Sequence, residues 1–268
     1  MMICQASRPM VKAYSRPGPT VNWGELGMRL ARTIWTTILL TCLLAALTPS
    51  GAVAAETAIA RELRFPNPLD ADIDRFWAAQ FQEAGRPYES PNGVIAFDQP
   101  IVTACGRADP EKEAAFYCVS DATIYYSAAF RSLIENQIGD FAWVVVVAHE
   151  WGHHIQAQLG FDLGAGPDRA GEATPIELEH QADCLAGAYS MDAQTTGWLD
   201  PGDIEEALTM TKISGDPPGT AWNAPGAHGS GDDRVAAFLT GYTGGLASCD
   251  LDLTVGDAAS GTTGTASP

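Results

Sequence analysis

Basic residues are scarce in this chain of 268 residues: 15 Lys and Arg stand against 33 Asp and Glu, for a formal net charge of −18. A surface so poor in cations repels phosphate backbones and anionic headgroups, so neither nucleic acid nor a membrane surface is an expected partner. Long apolar runs are also lacking. The run 34–47 (IWTTILLTCLLAAL) falls short of the roughly 18 apolar residues that span a bilayer comfortably. No internal repeat is present, and no signal for an oligomeric state. Histidine is rare, five in all, and every one lies C-terminal to Ala148.

What is present begins with that short run. Arg29 and Arg32 precede it and Gly51, Ala52, Val53, Ala54 and Ala55 follow it, the layout of a secretory signal peptide. Met28 is an alternative start, and cleavage after Ala54 or Ala55 fits the small-residue rule equally. An uncleaved anchor is the second reading of the run. Cys42 sits inside the run after Thr41, which argues against a lipoprotein. The chain thus divides into a leader over 1–55 with its signal peptide at 28–55, a domain over 56–250, and a disordered tail over 251–268 rich in Gly, Ser and Thr. About 213 residues remain after the leader, enough for one domain with a sizeable core. The leader takes five of the 15 basic and one of the 33 acidic residues, leaving 10 against 32.

Of six cysteines, Cys4 and Cys42 go with the leader. Cys105, Cys118, Cys184 and Cys249 remain, and in an exported domain they imply two disulfides. Three pairings are open. Cys105 with Cys118 and Cys184 with Cys249 is favoured because the first pair closes a short loop.

Apolar spacing at Ile73, Phe76, Trp77, Phe81 and Ala84 predicts an amphipathic helix over 70–84. Short β-branched and aromatic runs predict strands over 94–97 and 122–126. A helix over 128–137 follows, with Phe130, Leu133 and Ile134 inward. The next helix is predicted from Asp140, as N-cap, to Leu159, and a Gly-rich loop over 164–171 comes after it. Thr174, Pro175 and Glu177 then spell an N-cap, an N1 proline and a capping-box glutamate for a helix reaching Ala193. Asp200 and Pro201 repeat the cap-then-proline signal for a helix to Ile213. A long loop over 215–231 and a helix over 233–239 complete the reading.

Within the 140–159 helix His149, Glu150, Trp151, Gly152 and His153 form HExxH. Positions i and i+4 stand one above the other on a helix, so both imidazoles reach one zinc ion. Glu150 points beside the metal, where it takes a proton from a metal-bound water. The preceding residues 141–148 (FAWVVVVA) are wholly apolar, and a buried helix does not carry three ionisable groups in little more than one turn without a compensating partner.

A catalytic zinc needs a third protein ligand. Glu177, Glu179 and His180 compete for that place. The capping box occupies Glu177, whereas Glu179 lies further in with Asp183 at i+4, so Glu179 is preferred. Asp183 then accepts a hydrogen bond from the outer nitrogen of a ligand histidine, which fixes its tautomer. The third histidine of a metzincin is missing, because Gln156 and Leu159 stand where its glycine and histidine belong. His154 is rotated about 100° from its neighbour and is expected beside the site or at the surface.

Taken together, these segments resemble the bacterial neutral zinc metallopeptidase family, a gluzincin-like group. The resemblance rests on Thr103-Ala104-Cys105-Gly106, Phe116-Tyr117-Cys118, Ile124-Tyr125-Tyr126, AHEWGHHIQ over 148–156, EHQADCLAG over 179–187, and His228-Gly229-Ser230 with Arg234, Phe238 and Gly241. It implies zinc bound by His149, His153 and Glu179, with Glu150 as the catalytic residue. Ala114-Ala115, Val119 and Ser127 depart from the family's usual residues, which bears on the substrate groove rather than on the metal.

His228 in its loop is a candidate donor to the oxyanion of a tetrahedral intermediate, with Arg234 holding the loop. The alternative is that His228 to Ser230 merely lead into a helix cap. The expectation is an α+β, zincin-like, mainly helical domain with a small sheet flanking the HExxH helix. Its expected activity is that of a secreted or cell-envelope zinc peptidase, an endopeptidase rather than an exopeptidase, acting on peptides or proteins with one catalytic zinc. The strand 122–126 is expected along the cleft, pairing with extended substrate. Two rivals are a catalytically silent, zinc-stabilised binding protein of the cell envelope and a zinc hydrolase of non-peptide amides.

Overall fold

The computed structural model describes Phe65, residues 67–163, 173–221, Ala224, residues 226–251 and Leu253. The expected leader over 1–55, the loop over 164–171 and the tail from 256 onward lie outside the described residues. In chain order the elements are α1 (Pro68–Glu83), β1 (Gly93–Phe97), β2 (Ile101–Thr103), β3 (Gly106–Ala108), β4 (Ala115–Cys118), β5 (Thr123–Ser127), α2 (Ala128–Gln137), α3 (Asp140–Gln158), α4 (Pro175–Thr196), α5 (Asp203–Ile213) and α6 (Gly231–Gly244). A 3-10 turn at Leu246–Ser248 follows. The domain is therefore mixed α and β, with helices dominating.

The central element is α3. Its apolar run buries Phe141, Ala142, Trp143, Val145, Val147, Ala148, Trp151 and Ile155, nearly all round the helix, so neighbours must cover it on every side. It packs against α2, α4, α5 and β4. From α1 the predicted stripe Ile73, Phe76, Trp77 and Phe81 enters the same core, and Phe76 meets Tyr189 of α4 edge to face, 5.7 Å between centroids. On α2 the expected inward set is only partly right. Ile134 is buried, whereas Leu133 is 48% exposed, because the sheet and α3 cover only one side of this short helix.

Two expected caps are corrected. Helix α3 starts at Asp140, but its N-cap is Gly139 and Asp140 caps nothing. The carboxylate of Glu206, from α5, accepts from Phe141 N at 3.0 Å instead, so a distant element satisfies an orphan donor of the first turn. Asp200 and Pro201 form a turn rather than a helix start. The helix begins at Asp203, whose carboxylate accepts from Asp200 N at 2.7 Å, the reverse of the expected polarity. The signal at Thr174 holds: its hydroxyl accepts from Glu177 N and the Glu177 carboxylate accepts from Thr174 N at 2.7 Å. That helix runs past Ala193 to Thr196, where Gly197 ends it in the left-handed conformation. The last predicted helix is longer than 233–239, because Ser230 caps it through Asp233 N.

Three strands escape the sequence pattern. β2 and β3 form a separate two-stranded hairpin, while β4 pairs antiparallel with β5, and β1 pairs parallel with β5 on its other side. The order β1-β5-β4 puts β5 in the middle, with both of its hydrogen-bonding edges used. The expectation that the 122–126 strand pairs with substrate is therefore overturned; β1 and β4 are the edge strands. Disulfides join Cys105 to Cys118 and Cys184 to Cys249, with S–S distances of 2.04 and 2.05 Å, the favoured pairing. The first anchors the β2–β3 hairpin to β4, and the second anchors the chain after α6 to α4. No helix among the described residues is long and apolar enough to cross a membrane.

Candidate metal centre

His149 and His153 lie one turn apart on α3, their rings 4.7 Å between centroids and nearly perpendicular. Helix α4 crosses α3 where Gly152 faces Ala182: a Cβ on Gly152 would sit 3.0 Å from the Ala182 Cα. Only glycine allows that approach without displacement, and it carries Glu179 to the Nε2 side of both imidazoles and Asp183 to the Nδ1 side of His149. His149 Nε2 lies 3.2 Å from Glu179 Oε2, and His153 Nε2 lies 3.3 Å from Glu179 Oε1. The three prospective ligand atoms fall within 4.8 Å of one another.

Tautomers follow from the outer partners. His149 Nδ1 is 2.9 Å from Asp183 Oδ1, and an ionised carboxylate only accepts, so the ring proton sits on Nδ1. Asp183 is held ionised by the bidentate guanidinium of Arg234, with Nε at 2.7 Å and Nη2 at 2.9 Å. Burial would raise the Asp183 pKa, but His149 and Arg234 outweigh it and keep the carboxyl below its usual range. His153 Nδ1 is 2.9 Å from Gln156 Oε1. The amide of Gln156 cannot turn round, because its Nε2 donates to Leu178 O at 2.7 Å and to Gln181 Oε1 at 3.1 Å. His153 therefore also carries its proton on Nδ1.

Both Nε2 atoms consequently face the Glu179 carboxylate, His149 toward Oε2 and His153 toward Oε1. Glu179 Oε2 is buried and has no hydrogen-bond partner. Burial opposes ionisation of Glu179, but the two histidines outweigh it and its pKa lies far below normal. Burial likewise opposes a charged His149, yet Asp183 and Glu179 prevail and lift it to about 10, so the ring gives up a proton from Nε2 when it takes a cation. Three convergent electron-pair donors, one of them an orphaned buried oxygen, call for a cation, and two imidazoles with one carboxylate form a donor set typical of zinc.

Glu150, the residue after His149, is buried, and its carboxylate makes no hydrogen bond to another described residue. It lines two cavities of about 320 and 300 Å³ that share Ala115, His149, Glu150 and His228. His228 is thus brought to the cleft, with its side chain 47% exposed. Its loop is not held by Arg234, as expected, but by Asp216, whose Oδ2 accepts from His228 N at 2.8 Å and Gly229 N at 2.9 Å. Arg234 instead donates Nη1 to Ser214 O at 2.8 Å, tying α6 to the end of α5.

Two expectations about neighbours change. His154 is neither beside the metal nor at the surface. It is 2% exposed, donates Nε2 to Glu89 O at 2.7 Å and accepts from Tyr117 Oη at 3.1 Å, and burial pushes its pKa down to about 4. Gln156, weighed only as a glycine that is absent, turns out to orient His153. Its i+3 spacing from that histidine was the available signal.

An α+β domain in which two crossing helices present two imidazoles and a carboxylate to one point is, as a class, a candidate metal-centred hydrolase. More particularly, the chain belongs to the family described as "Putative neutral zinc metallopeptidase", whose model matches residues 45–251. It is 30% identical over 197 residues to the uncharacterized protein YpfJ of Escherichia coli K12, covering 68% of each chain. It is 33% identical over 200 residues to the uncharacterized protein Mb2605 of Mycobacterium bovis, covering 66% of each. No solved structure matches the chain significantly. The family resemblance drawn from the motifs thus holds.

Proposed function

We propose that this protein is a zinc-dependent endopeptidase of zincin-like architecture that works outside the cytoplasm. The observation that carries the reading is the buried Glu179 carboxylate, with its unsatisfied Oε2 facing His149 Nε2 and its Oε1 facing His153 Nε2, and the Glu150 carboxylate beside them. Zinc held by His149, His153 and Glu179 would supply Lewis acidity, activating a water and polarising a substrate carbonyl.

Glu150 takes a proton from the attacking water and passes it to the leaving nitrogen. Asp183 and Gln156 accept from Nδ1 of the two rings, which turns both Nε2 atoms toward Glu179. His228, on the loop held by Asp216, is placed over the cleft to donate a hydrogen bond to the oxyanion. β4 offers a free strand edge that also contributes Ala115, Phe116 and Tyr117 to the cleft wall, so an extended peptide can add to it by backbone hydrogen bonds. Cavities on two sides of Glu150 accommodate side chains on both sides of a scissile bond, which supports an endopeptidase. Two disulfides accord with an oxidising compartment.

The test is to purify residues 56–268, measure bound zinc, and compare peptide-library cleavage by wild type and Glu150→Gln. Stoichiometric zinc in both, with cleavage lost by about a hundredfold or more in the variant, is expected. Full zinc with no peptide cut by wild type would reject the reading in favour of a silent, metal-stabilised binding protein.

A further inference from the structure

The larger of the two cavities beside Glu150 has a chemistry distinct from the metal centre. Phe130 and Ile134 from α2, Val145 and Val146 from α3, and Met210 and Ile213 from α5 supply its apolar wall. Ile134, Val145 and Met210 are core residues at 5, 3 and 5% exposure, so this part of the wall belongs to the packed interior and keeps its shape, while Ile213, 59% exposed, stands at the rim. The titratable residues of the lining sit together at one end of the cavity: Asp183 and Arg234 are paired bidentately, and His149, Glu150 and His228 form the catalytic edge. One polar group is left over. Thr211 is 2% exposed, lines the cavity, and its hydroxyl has no hydrogen-bond partner.

We infer that this cavity is a specificity pocket, and that the substrates are peptides with a bulky aliphatic or aromatic side chain next to the bond cleaved. The inference rests on the endopeptidase reading for where the scissile bond lies. A volume of about 320 Å³ exceeds the roughly 150 Å³ of an apolar cavity that takes up benzene. Water against those six side chains is displaced favourably by an apolar guest, whereas a lysine or glutamate side chain that reaches past Glu150 to the apolar end loses its hydration with no charged partner there. The Thr211 hydroxyl admits a polar tip, so tyrosine fits as well as phenylalanine. Opening toward Glu150 places the guest's backbone at the reacting centre.

The test uses binding as well as turnover. Hydroxamates with methyl, isobutyl, benzyl and aminobutyl side chains are titrated by calorimetry into the zinc-loaded full chain. Isobutyl and benzyl compounds are expected to bind about tenfold or more tightly than the methyl and aminobutyl ones. Met210→Phe, which fills the pocket, should erase the benzyl advantage, and Met210→Ala should extend it to a naphthylmethyl compound. Equal affinity across the series, or a benzyl advantage unmoved in the folded Met210 variants, overturns the pocket. A peptide library run in parallel separates the two readings. Discrimination among hydroxamates without cleavage of any peptide supports the pocket and rejects the endopeptidase.

Discussion

Glu177 and Glu179 stand two positions apart on one helix and serve unrelated purposes. The first closes a capping box with Thr174 at 2.7 Å, and the second turns its oxygens toward His149 and His153. Glu179→Ala should therefore abolish stoichiometric zinc binding. Glu177→Ala should keep the zinc and lose about 1 kcal/mol of stability, the usual value of an N-terminal cap; metal analysis and urea denaturation of both variants check this. Gln156→Leu removes the acceptor that fixes His153 while preserving bulk. Zinc affinity is expected to fall about 10- to 100-fold, read by competition with a chelator of known affinity. The capping box was legible in the sequence because its three residues lie within one turn. The i+3 spacing put Gln156 within reach of His153, but which of its amide atoms faces the ring was not legible, because its rotamer is locked by Leu178 and Gln181, which belong to another helix.

Helix packing decides whether those residues meet. α4 is clamped between α3 and α6, and on the α6 side the approach is closer still: a Cβ on Gly241 would lie 1.8 Å from Cys184 O, and one on Gly187 would lie 2.0 Å from Phe238 O. This contact brings Arg234 of α6 onto Asp183 of α4. Gly241→Ala must push α6 outward, so it should cost about 1–3 kcal/mol and also weaken zinc binding through Asp183 and His149. A folded variant with unchanged melting temperature and zinc affinity would refute the clamp. At this scale the sequence showed that the helices exist, since each has its apolar spacing or cap. It did not show which strand is exposed, because β2, β3 and β4 are three or four residues long and too short for an alternating pattern to stand out.

Across the whole molecule the two disulfides close loops of very different length, with sequence separations of 13 and 65. Chain-entropy arguments assign about 3 kcal/mol to the shorter and about 4 kcal/mol to the longer. Cys249→Ser should thus lower the denaturation midpoint more than Cys105→Ser. It should also loosen the contact from Gln181 Nε2 to Cys249 O, which supports Gln156 in turn. The sequence by itself determined the local facts: two imidazoles one helical turn apart, a capped glutamate followed by a free one, an acidic chain with four cysteines downstream of its expected leader. Each depends only on helical periodicity or composition. Tertiary structure alone decided that both Glu179 oxygens face the histidines, that Glu206 rather than Asp140 serves the start of α3, that Asp216 holds the His228 loop, and that α2, α3 and α5 enclose an apolar cavity. Those contacts join groups far apart in sequence, and their geometry is set by how closely helices approach and how short strands pair, quantities that no local pattern encodes.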